Sequence, residues 1–182
     1  MQIGILPIGK TDPTAVLWIK EKLPIIFPDT KCVIIDGNIP LRTEAFNEKR
    51  KQYHSHVILR EVQGYAIRTA YLNRVLGVVD ADIFTPQFNF VFGEAICPGK
   101  AALISLCRLK PEFYGDMPNG PLLFERALKE AVHELGHTLG LEHCSRSLCV
   151  MHFSNSISDT DTKLSQFCKQ CYLKTRIRLN FR

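Results

Sequence analysis

The chain has 182 residues, 46% of them hydrophobic and 23% charged, with a formal net charge of +5. That length suits one domain, residues 1–182, with a core of its own, and the composition is neither that of a disordered nor of a fibrous protein. The mild positive charge does not by itself call for nucleic acid, and no stretch approaches the roughly 18 unbroken apolar residues of a membrane span.

Residues 2–8 (QIGILPI) read as a buried strand. The N-terminal MQIGILPIGK has no positive n-region, and its apolar run is too short and too broken by Pro and Gly for a secretory signal. The expected location is therefore the cytoplasm, where thiols stay reduced. Asp12 and Pro13 look like a helix start, with Asp as N-cap and Pro in the first helical position. Ala15, Val16, Ile19, Leu23 and Ile26 follow at helical spacing until Pro28. Residues 32–35 (CVII) form a second short strand, closed by Asp36 and Gly37. The charged tract 38–73 is broken at Pro40 and holds a helix within 53–68. Residues 75–84 (VLGVVDADIF) read as a strand running into a polar turn, and 89–92 (NFVF) and 101–106 (AALISL) as two more strands. This order predicts a mixed α/β (α+β) fold, with a mixed sheet of about four to five strands covered by helices. A loop at 111–121 leads into a long helix opened by Pro121.

In that helix Phe124, Leu128, Ala131, Leu135 and Leu139 recur three or four residues apart and share one face. At about 100° per residue, His133 and His137 lie roughly opposite that face and only about 40° from each other, so both imidazoles can reach one ion. Gly140 can adopt the left-handed conformation that ends a helix and lets the chain turn back, making His143 a third ligand. Three histidines leave the fourth position of a zinc tetrahedron open, as in catalytic sites. Glu134 lies one step round the helix, beside the pair. There it can take a proton from zinc-bound water during attack on a carbonyl. HExxH alone recurs by chance; a helix around it, with the glycine and third histidine beyond, makes the metal reading the stronger one.

Cysteines 144 and 149, with the CxxC pair at 168 and 171, open a second pattern among seven cysteines in all. In a reducing compartment, Cys144, Cys149, Cys168 and Cys171 suit a closed, structural four-thiolate zinc site. Buried thiols or a redox pair at CKQC are the plainer alternatives. Cys144 directly follows His143, so the second zinc would pin the segment carrying the third histidine. Cys32, Cys97 and Cys107 read as buried core thiols. Met151 on its own reads as core filling, and His152 as a neighbour or surface group rather than a ligand.

Together, His133, Glu134, His137, Gly140 and His143 meet the metzincin signature HExxHxxGxxH. With Cys144, Cys149, Met151 (in CVMHFSNS), the Cys168/Cys171 pair and the tract GVVDADIF…NFVFGEA, the chain resembles the archaemetzincin family. The resemblance implies a metzincin-like single domain: a twisted mixed sheet, an active-site helix and a zinc-stabilised C-terminal part. It implies a peptidase that takes peptide or protein substrates and carries two zinc ions, one catalytic on His133, His137 and His143 and one structural on the four cysteines. Met151 becomes the methionine turn that floors the first. The chain starts at its first strand, so no pro-segment is expected to mask the zinc, and no tyrosine follows Met151 closely. Residues 89–93 (NFVFG) are the candidate for the antiparallel strand beside the cleft that pairs with an extended substrate. Selectivity then comes from a pocket beside His133 and loop 153–157.

Two other readings compete. A zinc-stabilised protein that binds peptides or a partner with little turnover would share most of these residues. A nucleic-acid binder built on the cysteines and the tail residues Lys174, Arg176, Arg178 and Arg182 would need interleaved aromatics, and only Phe181 is there; the tail reads better as a solvated helix end. The expected partner is a peptide, with neither nucleic acid nor membrane, and a monomer is expected.

Overall fold

The computed structural model describes residues 1–36 and 39–180. Its strands are β1 (Gln2–Ile8), β2 (Lys31–Ile34), β3 (Phe46–Asn47), β4 (Gln52–His54), β5 (Arg74–Val79), β6 (Ile83–Phe84), β7 (Gly93–Ala95) and β8 (Ala101–Ser105). Its α-helices are α1 (Pro13–Ile26), α2 (Ser55–Arg68), α3 (Gly120–Thr138), α4 (Ile157–Thr162) and α5 (Lys169–Asn180).

Three strands are apolar on both faces, and that decides the layering. Ile3 and Ile5 of β1, Leu76 and Val78 of β5, and Ala102 and Ile104 of β8 face a core shared with α1 and α3. Their alternates, Leu6 and Ile8, Val75 and Val79, and Ala101 and Leu103, face a second core capped by Ile58, Leu59, Val62 and Ala66 of α2. A sheet buried on both sides must be covered by helices on both sides, and parallel strands joined by crossover helices achieve this. The sheet order is β2-β1-β5-β8-β7, parallel except for β7, which pairs antiparallel with β8 and forms one edge. The predicted mixed sheet of four to five strands is thus present with five.

Two expected strands differ. The tract 75–84 is divided: β5 ends at Val79, and Ile83 and Phe84 join a second sheet of order β3-β4-β6. The aspartates between them leave the sheet because each takes a cation, Asp80 that of Lys110 and Asp82 that of Arg108. Residues 89–92 form no strand, and the antiparallel strand starts at Gly93 instead. The Asn89 carbonyl is occupied by side chains, accepting from Arg50 Nη2 at 2.8 Å and Gln52 Nε2 at 3.0 Å. The charged tract 38–73 supplies α2 as expected, along with β3 and β4, which are too short to show an alternating pattern.

Helix starts follow the sequence signals. Asp12 accepts from Thr14 N at 2.8 Å to cap α1, and Asn119 accepts from Leu122 N at 3.1 Å to cap α3, with Pro121 in its first turn. The surface of α3 departs from a one-sided stripe. Arg126, Glu130, His133 and Glu134 are buried as well as the leucines and alanines, because the edge strand at Gly93 and the chain beyond Gly140 together cover the side that the apolar residues leave. Arg74, 2% exposed at the head of β5, donates from Nε to Thr138 Oγ1 at 3.0 Å and ties the sheet to the end of α3.

The three remaining cysteines are not all core. Cys32 and Cys107 are half-buried, with burial pushing each thiol up to about 11, and Cys97 is exposed in the loop between β7 and β8. Of the basic tail, Lys174 and Arg176 are exposed on α5. Gly37, Phe181 and Arg182 lie outside the described residues. Among those described, no helix is long and apolar enough to cross a membrane.

Candidate active site

The last turns of α3 end in a closed C-cap. Gly140 takes φ 81°, its N–H donates to His137 O at 2.7 Å, and Leu141 N–H donates to Gly136 O at 3.1 Å. This pair of bonds is the Schellman arrangement, which requires a left-handed residue where the glycine stands. The chain therefore reverses at once and returns His143 to His133 and His137. One ring nitrogen of each lies within 4.8 Å of the others.

The two helical rings are oriented through their far nitrogens. His133 Nδ1 lies 2.8 Å from Val150 O, and His137 Nδ1 lies 2.7 Å from Leu141 O. A carbonyl only accepts, so each Nδ1 carries a proton and points its Nε2 inward, where the two Nε2 atoms stand 3.1 Å apart. Burial holds both rings below their ordinary pKa, His133 well below, with the nearby Lys163 charge pushing both the same way. His143 is also lowered, first by burial and then by His137 and Lys163. Neutral imidazoles with converging bare nitrogens form a donor set for a cation.

Glu134 is buried beside this set without belonging to it. Burial raises its carboxyl well above the usual range; Glu130 and Glu94 add to this, and Lys163 opposes them. Its side chain presses on the edge strand at Gly93, where a Cβ would lie 2.6 Å from Glu134 Oε1. Met151, fully buried, packs under Gly136 together with Phe167. The Met151 carbonyl accepts from Cys144 N at 2.9 Å, and His152 Nδ1 donates to Cys144 O at 3.0 Å. His152 thus braces the returning chain and stands outside the imidazole cluster.

The four cysteine sulfurs also converge, all within 4.8 Å of one another. Cys144 Sγ and Cys168 Sγ are 3.9 Å apart, and Cys168 N–H donates to Cys149 Sγ at 3.3 Å. Burial pushes the Cys171 and Cys149 thiols up. Against the upward push of burial, hydrogen bonds from the Cys171 backbone and from the Cys171, Cys149 and Cys144 side chains bring Cys168 down to about 6. Four crowded sulfurs competing for one negative charge suit a divalent soft-acid ion.

A cavity of about 460 Å³ runs past the imidazoles. Gly93, Glu94 and Ala95 of the edge strand, Glu134 and Phe153 are among the residues lining it. The segment that follows the lining residues Phe153, Ser154 and Asn155 is tied to α3 by polar contacts that no sequence pattern foretold. Arg126 Nε and Nη2 donate to the two Asp161 oxygens, both at 2.7 Å, and Lys129 Nζ donates to the carbonyls of Thr160 and Asp161 at 3.0 Å. Lys163, wholly buried, forms an ion pair with Glu130 at 2.9 Å without a well-aligned hydrogen bond, while Thr160 Oγ1 donates to the same Glu130 oxygen at 3.1 Å. No local pattern announces a buried lysine in a Ser/Asp-rich segment. Gly93 did carry a signal, since a glycine inside a strand marks close approach of another group.

The profile of Peptidase family M54 matches residues 19–176. An archaemetzincin of Methanocaldococcus jannaschii is 44% identical over 178 residues, covering 98% of this chain and 94% of that protein. The crystal structure of an archaemetzincin from Methanopyrus kandleri superposes with a TM-score of 0.87 at 32% identity, over 99% of this chain and 96% of that one. A structure described as a zinc-dependent peptidase from Methanocorpusculum labreanum superposes with a TM-score of 0.86 at 26% identity, over 95% and 99% of the two chains.

Proposed function

The chain belongs to peptidase family M54, the archaemetzincins, and is a zinc-dependent peptidase; from that premise we propose that His133, His137 and His143 hold the catalytic zinc and that Glu134 moves the protons. Cys144, Cys149, Cys168 and Cys171 hold a second zinc, which is structural.

One observation carries the assignment. Two neutral imidazoles, each with its Nδ1–H committed to a carbonyl, face each other with bare Nε2 atoms 3.1 Å apart. Converging lone pairs at that distance repel unless a cation lies between them and draws on both, and the third imidazole completes a three-nitrogen set. When bound there, zinc supplies Lewis acidity, polarising the scissile carbonyl and acidifying the attacking water.

The remaining work falls to the protein. Among the described residues the edge strand β7 pairs with β8 alone, so its outer side offers backbone donors and acceptors to an extended peptide running antiparallel to it. Such pairing fixes the peptide without reading its side chains. Glu134, set against Gly93 of that same strand, lies within the cavity wall where the scissile bond would pass. Its raised proton affinity makes it a base strong enough to take the proton of the attacking water at Oε1 or Oε2. The same carboxyl can then hand that proton to the departing amine. Val150 and Leu141 keep the ring orientations fixed through these steps, because their carbonyls hold the Nδ1 protons.

Native mass spectrometry together with a peptide-library digest tests the assignment. Two zinc ions per chain and peptide release are expected for the wild type, and two zinc ions with release reduced at least about a hundredfold for Glu134→Gln. Equal release by both proteins would remove Glu134 from the reaction. Loss of zinc from the Gln variant would make Glu134 a ligand rather than a proton carrier.

A further inference from the structure

We propose that Phe88 and Phe153, packed on one another, form a two-ring aromatic bracket lining the cleft that selects peptides with an aromatic side chain next to the scissile bond. This rests on the peptidase reading above and adds a substrate class to it. Phe88 comes from the loop after β6, and Phe153 from the segment after Met151. Both line the cavity, and their ring centroids meet at 5.8 Å with planes inclined by 45°. Phe153 also packs edge-on against His143, at 4.9 Å and 60°, which sets the bracket beside the imidazole cluster. Phe90 and Phe92 line the same cavity with centroids 5.2 Å apart and planes at 73°.

Both supports of the bracket are fixed through backbone bonds, which leaves the rings free to contact a ligand. Arg50 Nη2 donates to the carbonyls of Phe88 at 3.4 Å and Asn89 at 2.8 Å, and Phe88 N–H donates to Thr85 O at 3.1 Å. On the other side, Cys144 N–H to Met151 O and His152 N–H to Cys149 O, both at 2.9 Å, hold the chain that enters Phe153. Phe88 is nevertheless 47% exposed. A large apolar ring kept exposed on an anchored backbone, at the mouth of an apolar cavity, forgoes the burial that a slightly different loop would give it. An aromatic guest seated against the pair restores that burial, because the ring surfaces not used in their mutual contact are open to offset or edge-on packing. The volume of about 460 Å³ is ample for such a side chain. Glu130 gives little competing attraction for a basic side chain, since its charge is matched by Lys163; with Glu134 given to the proton transfers, Glu94 is the acidic lining residue left to supply it.

The test uses zinc-loaded protein and a peptide series identical except for one residue beside the cleaved bond: Phe, Leu, Ala or Lys. kcat/KM is measured for the wild type, Phe88→Leu and Phe153→Leu, and equilibrium binding of the same peptides is measured for these proteins carrying Glu134→Gln. The Phe peptide should exceed the Leu peptide about two- to tenfold in both readouts, the value of one or two aromatic contacts. Either Leu variant should bring that ratio near one at unchanged zinc content and melting temperature. Preference for Leu or Lys, or a ratio that survives both substitutions, overturns the bracket; a Lys preference would point to Glu94. Bracket-dependent binding without any cleavage would uphold the bracket and overturn the peptidase reading. Cleavage without aromatic preference would do the reverse, and neither binding nor cleavage would overturn both.

Discussion

Glu134 occupies the space that a side chain at Gly93 would need: a Cβ at position 93 would meet Glu134 Cγ and Oε1 at 2.6 Å and the Leu103 carbonyl oxygen at 2.7 Å. The carboxylate and the edge strand are therefore set at the closest approach that a glycine permits.

Gly93→Ala should displace Glu134 or the strand by a few tenths of an ångström or more. Misplacement near 1 Å costs on the order of 10²-fold in rate, so kcat/KM should fall steeply while both zinc ions remain. Elemental analysis beside peptide turnover checks the separation, and a Gly93→Ala protein of wild-type activity would show that Glu134 does not work against this strand.

Gly136→Ala strikes the floor instead. Its methyl would collide with Met151 Sδ and crowd Phe167 Cε1 at 3.3 Å, with both neighbours in a closed core. Overpacking of this kind costs about 1–3 kcal/mol, read as a fall in melting temperature. Met151→Leu should relieve part of the clash, and the double variant should melt above Gly136→Ala alone.

Lys163→Met leaves Glu130 buried without its cation, and Glu130→Gln does the converse. Each should lose roughly 3–5 kcal/mol, because an isolated buried charge is costly. Lys163→Met combined with Glu130→Leu should recover much of that loss, although Thr160 Oγ1 then lacks its acceptor. Denaturant titration of the three proteins measures it. A double variant no better than the worse single one would mean that the pair positions α4 by packing rather than by charge.

Metal uptake should differ in proton release. Cys149 and Cys171 have raised pKa values, so at pH 7 these thiols are protonated and must give up protons to bind zinc. The three imidazoles have lowered values and are already neutral. Affinity at the cysteine site should thus climb with pH through neutrality, while the histidine site should change little there and weaken only at lower pH. Zinc titration in weak buffer should release protons from the wild type and from His143→Ala, and far fewer from Cys171→Ser.

The parts of the site that sequence disclosed are those governed by spacing. His133 and His137 stand one helical turn apart, Gly140 supplies the only backbone conformation that turns the chain back at once, and the cysteines follow at distances a tetrahedral ion tolerates. The features that escaped depend on contacts between distant segments. That Asn89 O would be claimed by Arg50 and Gln52, so that the edge strand slips to Gly93, is a matter of tertiary hydrogen bonding with no local pattern. The pairing of Lys163 with Glu130 across 33 positions is equally invisible to periodicity. The helix α3 was legible as a helix, yet its second buried side was not, since that side is covered by segments distant in sequence, the edge strand at Gly93 and the chain beyond Gly140.

His143 and Cys144 are consecutive, and the Cys144 amide is held by the carbonyl of Met151. The stiffening of this strip of backbone is a cost common to the two proposed metal centres, so whichever ion arrives first should leave less entropy for the other to remove. Linkage makes that assistance mutual. Half-loaded molecules should be scarce during a titration, and a chelator strong enough to strip the thiolates should release the catalytic ion at a lower concentration than that ion's own affinity would require.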